Sequence, residues 1–514
     1  MHKARPRRAV SGKRSRGKRR RCRPPAGPDY WVQETDEDML LVVRNGVPQR
    51  EARPRVTKTL GKTIERWATS RGDPGPWGER LPPELLHRVL RLLAASEGAI
   101  PALCRVSRVC RLWRFAAADP GLWQDVSLGF CWVDPGKKQL LHVKKKVCNT
   151  VQWLTENRFS LLRRFTLNHW KNNVAFVVKT LGETCHHLNS LKLLYCSVVT
   201  TDCLLAVALN CPELESLNLQ NSQVDASAVG SFLEVAGSRL RQIWLTYNSR
   251  MNSILNLISS GCCSVLQLLE VTTDMSQDAR SVQLPIEALQ AGCPQLQVLR
   301  LLNLIWSPKG SARAVQESLG FPELVELCLA TSSFSVVDDE LCFRILRTSC
   351  KLCVLDLRGC YRVTPAGLVQ LPCTEVRQLY LGLYCTIQDL TLCRVGSYLL
   401  TRTWHHSLRE LDLTGQCYGE ADLEVALANL AQGGENVLLC SLNLAGTKVT
   451  LNSVRNLIRN CTALTYLNLT SCRYLPRGMK RVYRGQEDIQ QCLQLLLPSQ
   501  EDSTEHQDGS EGRS

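Results

Sequence analysis

Cys185-His-His-Leu188-Asn-Ser-Leu191-Lys-Leu193-Leu-Tyr195-Cys196-Ser-Val-Val-Thr200-Thr-Asp202-Cys-Leu204-Leu-Ala-Val207-Ala208-Leu-Asn-Cys211 contains two different periods. Leu191 and Leu193 alternate, as in a strand with one buried face. Leu204, Val207, Ala208 and Cys211 follow at i, i+3, i+4 and i+7, which gathers them on one face of a helix. At Cys211-Pro-Glu-Leu214-Glu-Ser-Leu217-Asn-Leu219 the pattern begins again, 26 residues on. A strand and helix this short cannot cover their own apolar faces, so each unit needs a copy on either side.

The repeat extends in both directions. Anchors at the first residue of L-x-x-L-x-L fall at Leu162, Leu188, Leu214, Leu240 and Leu266. They continue at Leu296, Leu324, Leu352, Val376, Leu408, Leu439 and Leu464. The period predicts an α/β leucine-rich-repeat solenoid over residues 161–472 with about twelve repeats, parallel strands concave and helices convex. A 514-residue chain would otherwise suggest about three separate domains. The first, fourth and sixth positions point inward. Among those pointing out, Tyr195, Trp244, Tyr247, Arg300, Arg358 and Tyr380 are the substrate-binding candidates, because exposed aromatic and arginine side chains most often anchor interfaces. Arg300 with Arg358 could take an anion or acidic side chains.

The chain holds 25 cysteines. Cys185, Cys211, Cys263, Cys293 and Cys461 sit three residues before a strand's first Leu; Cys196, Cys360 and Cys472 sit three after its last. The shared phase predicts buried, reduced thiols at tight corners, in a nuclear or cytoplasmic protein. Cys350-Lys-Leu-Cys353 is a lone pair without zinc spacing, so no metal or cofactor is expected. No apolar run reaches the roughly 18–20 residues of a membrane span, and the basic N-terminus does not read as a signal peptide. His186-His187 and His405-His406 are adjacent pairs that would diverge in a strand. Nucleotide, hydrolase and zinc-protease motifs are lacking, so a non-catalytic protein is expected.

A second informative stretch, 77–125, is organised differently. Leu81-Pro82-Pro83-Glu84-Leu85-Leu86 opens a helix with prolines, and Leu85, Leu86, Val89, Leu92 and Leu93 form a wide apolar stripe. Ile100 to Val106 and Val109 to Ala116 suggest two more short helices, followed by Asp119-Pro120-Gly-Leu122-Trp123. Three short helices close little core, which leaves apolar surface for a partner. In order, Leu81-Pro82-x-Glu84-Leu85-Leu86, Val106-Ser107-x-Val109-Cys110-Arg111-x-Trp113 and Asp119-Pro120-x-Leu122-Trp123 resemble an F-box. The segment between the first two helices is a little long for that family. The resemblance implies docking on the Skp adaptor of a Skp–cullin–F-box ubiquitin ligase, with Leu81, Pro82, Leu85, Val89, Leu103, Val106, Cys110 and Trp113 as candidate adaptor contacts. Internal packing of the three helices is the competing role for each. The repeats behind the box resemble the cysteine-containing leucine-rich class that commonly follows an F-box.

The remaining segments frame these two. Residues 1–28 form a basic tail expected to be disordered; twelve of the Lys and Arg lie in 1–25, so of the net +16 only +4 belongs to the rest. Lys13, Arg14, Lys18, Arg19, Arg20 and Arg21 are candidates for a nuclear import signal read by an import receptor. No aromatics interleave them, so nucleic-acid binding is the weaker reading. Residues 29–76 read as mostly irregular linker, with an acidic patch at Glu34–Asp38 and a short helix through Leu60, Ile64, Trp67 and Ala68. Residues 126–160 read as linker and N-terminal cap, with Val147, Val151 and Leu154 inward. Residues 473–498 read as a C-terminal cap carrying Ile489, Cys492, Leu493, Leu496 and Leu497, and 499–514 as an acidic disordered tail.

Two functions follow. The resemblance implies a substrate-recognition subunit: box on the Skp adaptor, and through it cullin and RING subunits, with the solenoid on a target protein to be ubiquitinated. The alternative is a non-catalytic scaffold or nucleic-acid-associated repeat protein that acts through its basic tail.

Overall fold

The computed structural model describes residues 30–34, 39–43, 81–129, 141–273, 281–309, 319–332, 334–383, 394–432 and 438–496. They belong to two compact units. In the first, β1 (Tyr30–Glu34) pairs antiparallel with β2 (Met39–Val43), Tyr30 opposite Val43. This hairpin stands inside the segment read as mostly irregular. Met39-Leu-Leu-Val-Val43 is a run with strong strand preference, which explains the difference. The helix expected through Leu60 and Ala68, both tails and the import-signal candidates lie outside the described residues.

The second unit begins with three helices, α1 (Pro83–Glu97), α2 (Ala99–Val106) and α3 (Arg111–Ala116). Pro83 starts α1 where its missing N–H costs nothing. Gly98, at φ 86°, separates α1 from α2. Cys110 caps α3, its sulfur accepting from the Trp113 backbone N–H at 3.5 Å. A 3-10 turn, Pro120–Trp123, then leads straight into strand β3 (Asp125–Leu128).

β3 is the first strand of a fourteen-stranded sheet that runs in chain order to Val482–Arg484. It pairs parallel with β4 (Arg164–Asn168), Val126 beside Phe165. The reading of 126–160 as linker and cap is therefore corrected at its start: the solenoid's sheet begins at the end of the box. A four-residue strand is too short to show a period, so the sequence offers no sign of it. Between β3 and β4 lies helix α4 (Leu141–Asn157), with Val147, Val151 and Leu154 buried as expected.

Each of the twelve anchors precedes one strand of this sheet, and inward positions such as Leu188, Leu191, Leu193, Leu217 and Leu355 are wholly buried. Burying one leucine is worth about 1.5–3 kcal/mol, and the stack repeats that gain at every layer. The last strand reverses direction and pairs antiparallel with Tyr466–Asn468, and the helix Gln486–Leu496 follows it with Ile489, Cys492 and Leu496 buried. One feature was not foreseen: Val282–Pro285 and Trp306–Lys309 form a separate two-stranded parallel sheet. Its proline-bearing strands read as breakers rather than as strand.

Candidate functional site

The box splits the wide stripe of α1 into two faces. Leu86 and Leu90 are buried against the other helices, whereas Leu85, Val89 and Leu92 are 52%, 47% and 66% exposed. Their i, i+4, i+7 spacing makes one apolar face, and Pro82 at the helix entrance is exposed beside its start. Val109 and Phe115 are exposed as well. Leu103 and Val106 are core residues of α2, so packing is their role here. Leu81, Cys110 and Trp113 are half-buried. Leu92, Val109 and Phe115 were absent from the candidate contacts. In α1 the signal was the phase: with Leu86 and Leu90 inside, Leu85, Val89 and Leu92 must point out.

The box is joined to the solenoid by an aromatic chain. Trp123 is buried and its indole N–H donates to the Ala117 carbonyl at 2.9 Å. Its ring lies 6.2 Å from Phe159, which lies 6.5 Å from Phe165 of β4. Three packed rings and a strand paired into the solenoid's sheet hold the two parts together.

On the concave face the register sets a row across the sheet, from Lys192 through Trp244, Glu270 and Arg300 to Asp356, Tyr380 and Asp412. Trp244, Arg300 and Tyr380 stand in this row, half-buried. Arg300 is held on both sides: Nε and Nη2 donate to Glu326 at 2.6 and 3.0 Å, and Nη1 donates to Glu270 at 3.0 Å. Those hydrogen bonds, Glu326 first, raise its already high pKa further. Arg358 is chelated by Asp356, Nε to Oδ1 at 2.9 Å, and lies 5.3 Å over the Tyr380 ring. The Tyr380 hydroxyl donates to Glu410 at 2.7 Å. Burial, with that carboxylate, pushes the phenol well above its usual range. Arg300 and Arg358 therefore do not form an open anion site; each is neutralised by this chain's own carboxylates.

Tyr247 departs from expectation. It is 8% exposed, buried at the strand's end rather than displayed. Tyr195 stands at the rim, 51% exposed and stacked on His169 with ring centroids 4.3 Å apart and planes 11° from parallel. Both residues adopt left-handed backbone, φ 52° and 59°, which non-glycine residues seldom do.

The phased cysteines are buried, and six of them donate to a carbonyl of the preceding repeat. Cys211 Sγ donates to the Cys185 carbonyl at 3.4 Å, and Cys472 Sγ to Leu444 at 3.1 Å. Burial pushes the Cys185 thiol up to about 11 and the Cys211 thiol up to about 12. Cys350 is exposed and Cys353 half-buried, both free. No group of three metal-ligating side chains occurs among the described residues. His186 and His187 lie in a turn, not a strand, and contact the Asn210 carbonyl and the Glu213 carboxylate at 2.9 and 2.8 Å.

Known proteins are similar to this chain in the box and over longer stretches. Residues 79–129 match the F-box-like family model. F-box/LRR-repeat protein 4 of Bos taurus is 26% identical over 312 residues, covering 55% of this chain and 47% of that protein. F-box/LRR-repeat protein 8 of Homo sapiens is 27% identical over 242 residues, covering 41% of this chain and 63% of its own length. The aligned regions thus span about half and about three-fifths of these two relatives. Among solved structures, yeast Rad7 in complex with Elc1 covers 65% of this chain and 78% of its own at 21% identity, with a TM-score of 0.38. A three-helix box built into a leucine-rich-repeat sheet defines the class as a box-and-solenoid protein. The matched box and the named relatives make the chain similar to F-box/leucine-rich-repeat proteins.

Proposed function

We propose that this chain is a substrate-recognition subunit of a Skp–cullin–F-box ubiquitin ligase. The box docks on the Skp adaptor, which brings cullin and RING subunits, and the solenoid holds a target protein. The observation that carries this reading is the exposed face of Leu85, Val89 and Leu92 on a helix whose other face is already satisfied. Such a face on a small domain is a binding surface rather than spare core. The chain's own contribution is proximity: a target held at a fixed place beside a charged conjugating enzyme reacts as if intramolecularly. The free, mostly buried thiols suit a reducing compartment, nucleus or cytoplasm, and the run from Lys13 to Arg21 serves as the import signal.

The test is capture of the full chain from cells beside a Leu85→Asp/Val89→Asp form. Both positions are about half exposed, so the variant is expected to fold, which its melting transition checks. Adaptor and cullin that accompany the wild type and disappear with the variant support the reading; no adaptor with either form overturns it.

A further inference from the structure

The outer face of α4 belongs to neither the adaptor face nor the concave row. It carries an open hollow of about 470 Å³ lined by Lys145, Lys146, Asn149, Thr150 and Trp153. Lys145, Asn149 and Trp153 are spaced i, i+4, i+8 along one stripe, while Val147, Val151 and Leu154 bury the opposite side in the solenoid. Trp153 is nearly half exposed, and the Arg158 guanidinium lies 4.9 Å from its ring centre. The Thr150 hydroxyl is already donated to the Lys146 carbonyl at 2.8 Å. Lys145 and Lys146 make no ion pair with any described carboxylate. The described part of the wall is thus two ammonium groups, an amide and an indole, with no acid among the described lining residues.

We propose that this hollow binds a carboxylate-rich peptide segment of a partner protein, at the neck between box and repeats. Ammonium groups donate and never accept, so an acceptor-only ligand satisfies them best. The indole offers the peptide's aliphatic stems an apolar wall beside that charge. A nucleic acid fits less well, because affinity for a polyanion comes from many phosphate contacts along a track and this site offers two lysines. Residues 497–514 of this chain are a poor occupant. They follow the fourteenth strand, about 60 Å along the sheet at ~4.8 Å per strand, and eighteen residues span that distance only when fully extended, at about 60 Å. The proposal does not depend on the ligase reading.

The probe is fluorescein-labelled hexaglutamate, titrated into the full chain by fluorescence anisotropy and then coupled to it with a carbodiimide. The coupled lysines are mapped by mass spectrometry, which separates the hollow from the basic tail. We expect amide links at Lys145 or Lys146, and binding at least tenfold weaker for Lys145→Glu/Lys146→Glu, with the melting transition unchanged. Lys145→Gln/Lys146→Gln, which removes the charge but keeps a polar side chain, should weaken binding in the same direction and guards against misfolding by the first variant. Links confined to lysines of residues 1–25 overturn the proposal, as does unchanged affinity in both variants. So do Lys145 or Lys146 links to the chain's own carboxylates without peptide. A twelve-nucleotide DNA that binds with the same lysine dependence while hexaglutamate does not would reassign the hollow to nucleic acid.

Discussion

At the scale of single residues, the repeat makes chemistry predictable from phase. Cys211 occupies the corner before a strand, donates to the layer behind it, and has its thiol pushed up to about 12 by burial. The thiolate is the reactive form, so a raised pKa and a buried sulfur both slow alkylation. Iodoacetamide at pH 8 should label Cys350, which is exposed, long before Cys185 or Cys211; equal labelling rates in the folded protein would contradict their burial. Gly359 is equally constrained: at φ 82°, a Cβ there would sit 1.8 Å from the Thr331 carbonyl oxygen. Gly359→Ala should destabilise by more than the ~1–2 kcal/mol of left-handed strain alone, read from urea unfolding. What single residues hid from the sequence was their neighbours. Arg300 looked free because Glu270 lies 30 residues before it and Glu326 lies 26 after it, and only strand register brings them together. Tyr247 looked displayed because position eight is a turn whose path varies from repeat to repeat.

At the scale of elements, pairs that skip a repeat tie the convex side together. Glu287, at the start of the helix Ile286–Gly292, accepts from Arg344 of the helix Asp339–Leu346, Nη2 to Oε2 at 2.8 Å, and Nε bonds its other oxygen. Burial alone would raise the Glu287 carboxyl, but the Arg344 hydrogen bonds outweigh it and hold the carboxyl below its usual value. A depressed folded value means stability that is present above the unfolded pKa of about 4.3 and lost as pH falls through the folded one. Glu287→Gln should therefore cost about 1.5–3 kcal/mol at pH 7, with the gap to wild type closing below about pH 4. Urea titrations at pH 7, 5 and 3 check this, and an undiminished gap at pH 3 would assign the cost to packing instead. Trp123 presents the same scale at the neck. Trp123→Ala removes the first ring of the chain to Phe159 and should cost about 3–5 kcal/mol. Limited proteolysis should then cut between box and repeats faster than in the wild type. The twelve anchored strands were legible because a strand period and a helix period alternate on a fixed count. β3 and the sheet of Val282–Pro285 with Trp306–Lys309 were not, being four residues each and interrupted by motif or proline residues.

At the scale of the whole molecule, stability is shared among layers. The change Leu217→Asp places a charge at a wholly buried position in the middle of the early repeats. It should unfold those layers and lower or split the melting transition; an unchanged transition would mean that the register is misread. The far end is closed by the reversed strand Val482–Arg484 and the helix that follows it. A chain stopped at residue 478 should expose the edge of Tyr466–Asn468 and associate with itself, visible as a shift in light scattering. Solenoid and box were both recognisable from sequence because one rests on recurrence and the other on an ordered motif. How they join was not, because a junction occurs once and has nothing to recur against.

That junction makes the second unit a lever with a clamped end. A strand that belongs to both parts leaves no swivel, so the angle of the arm is set where β3 meets the box. Along the sheet the arm measures about 60 Å, and a tilt of about one degree at its root carries the tip about 1 Å. Anything gripped far from the box is therefore aimed by a few side chains near Trp123 that never touch it. The number of layers is itself a length setting: adding or deleting one would slide everything beyond it by about 5 Å and turn its bearing, without altering a single contact in the grip.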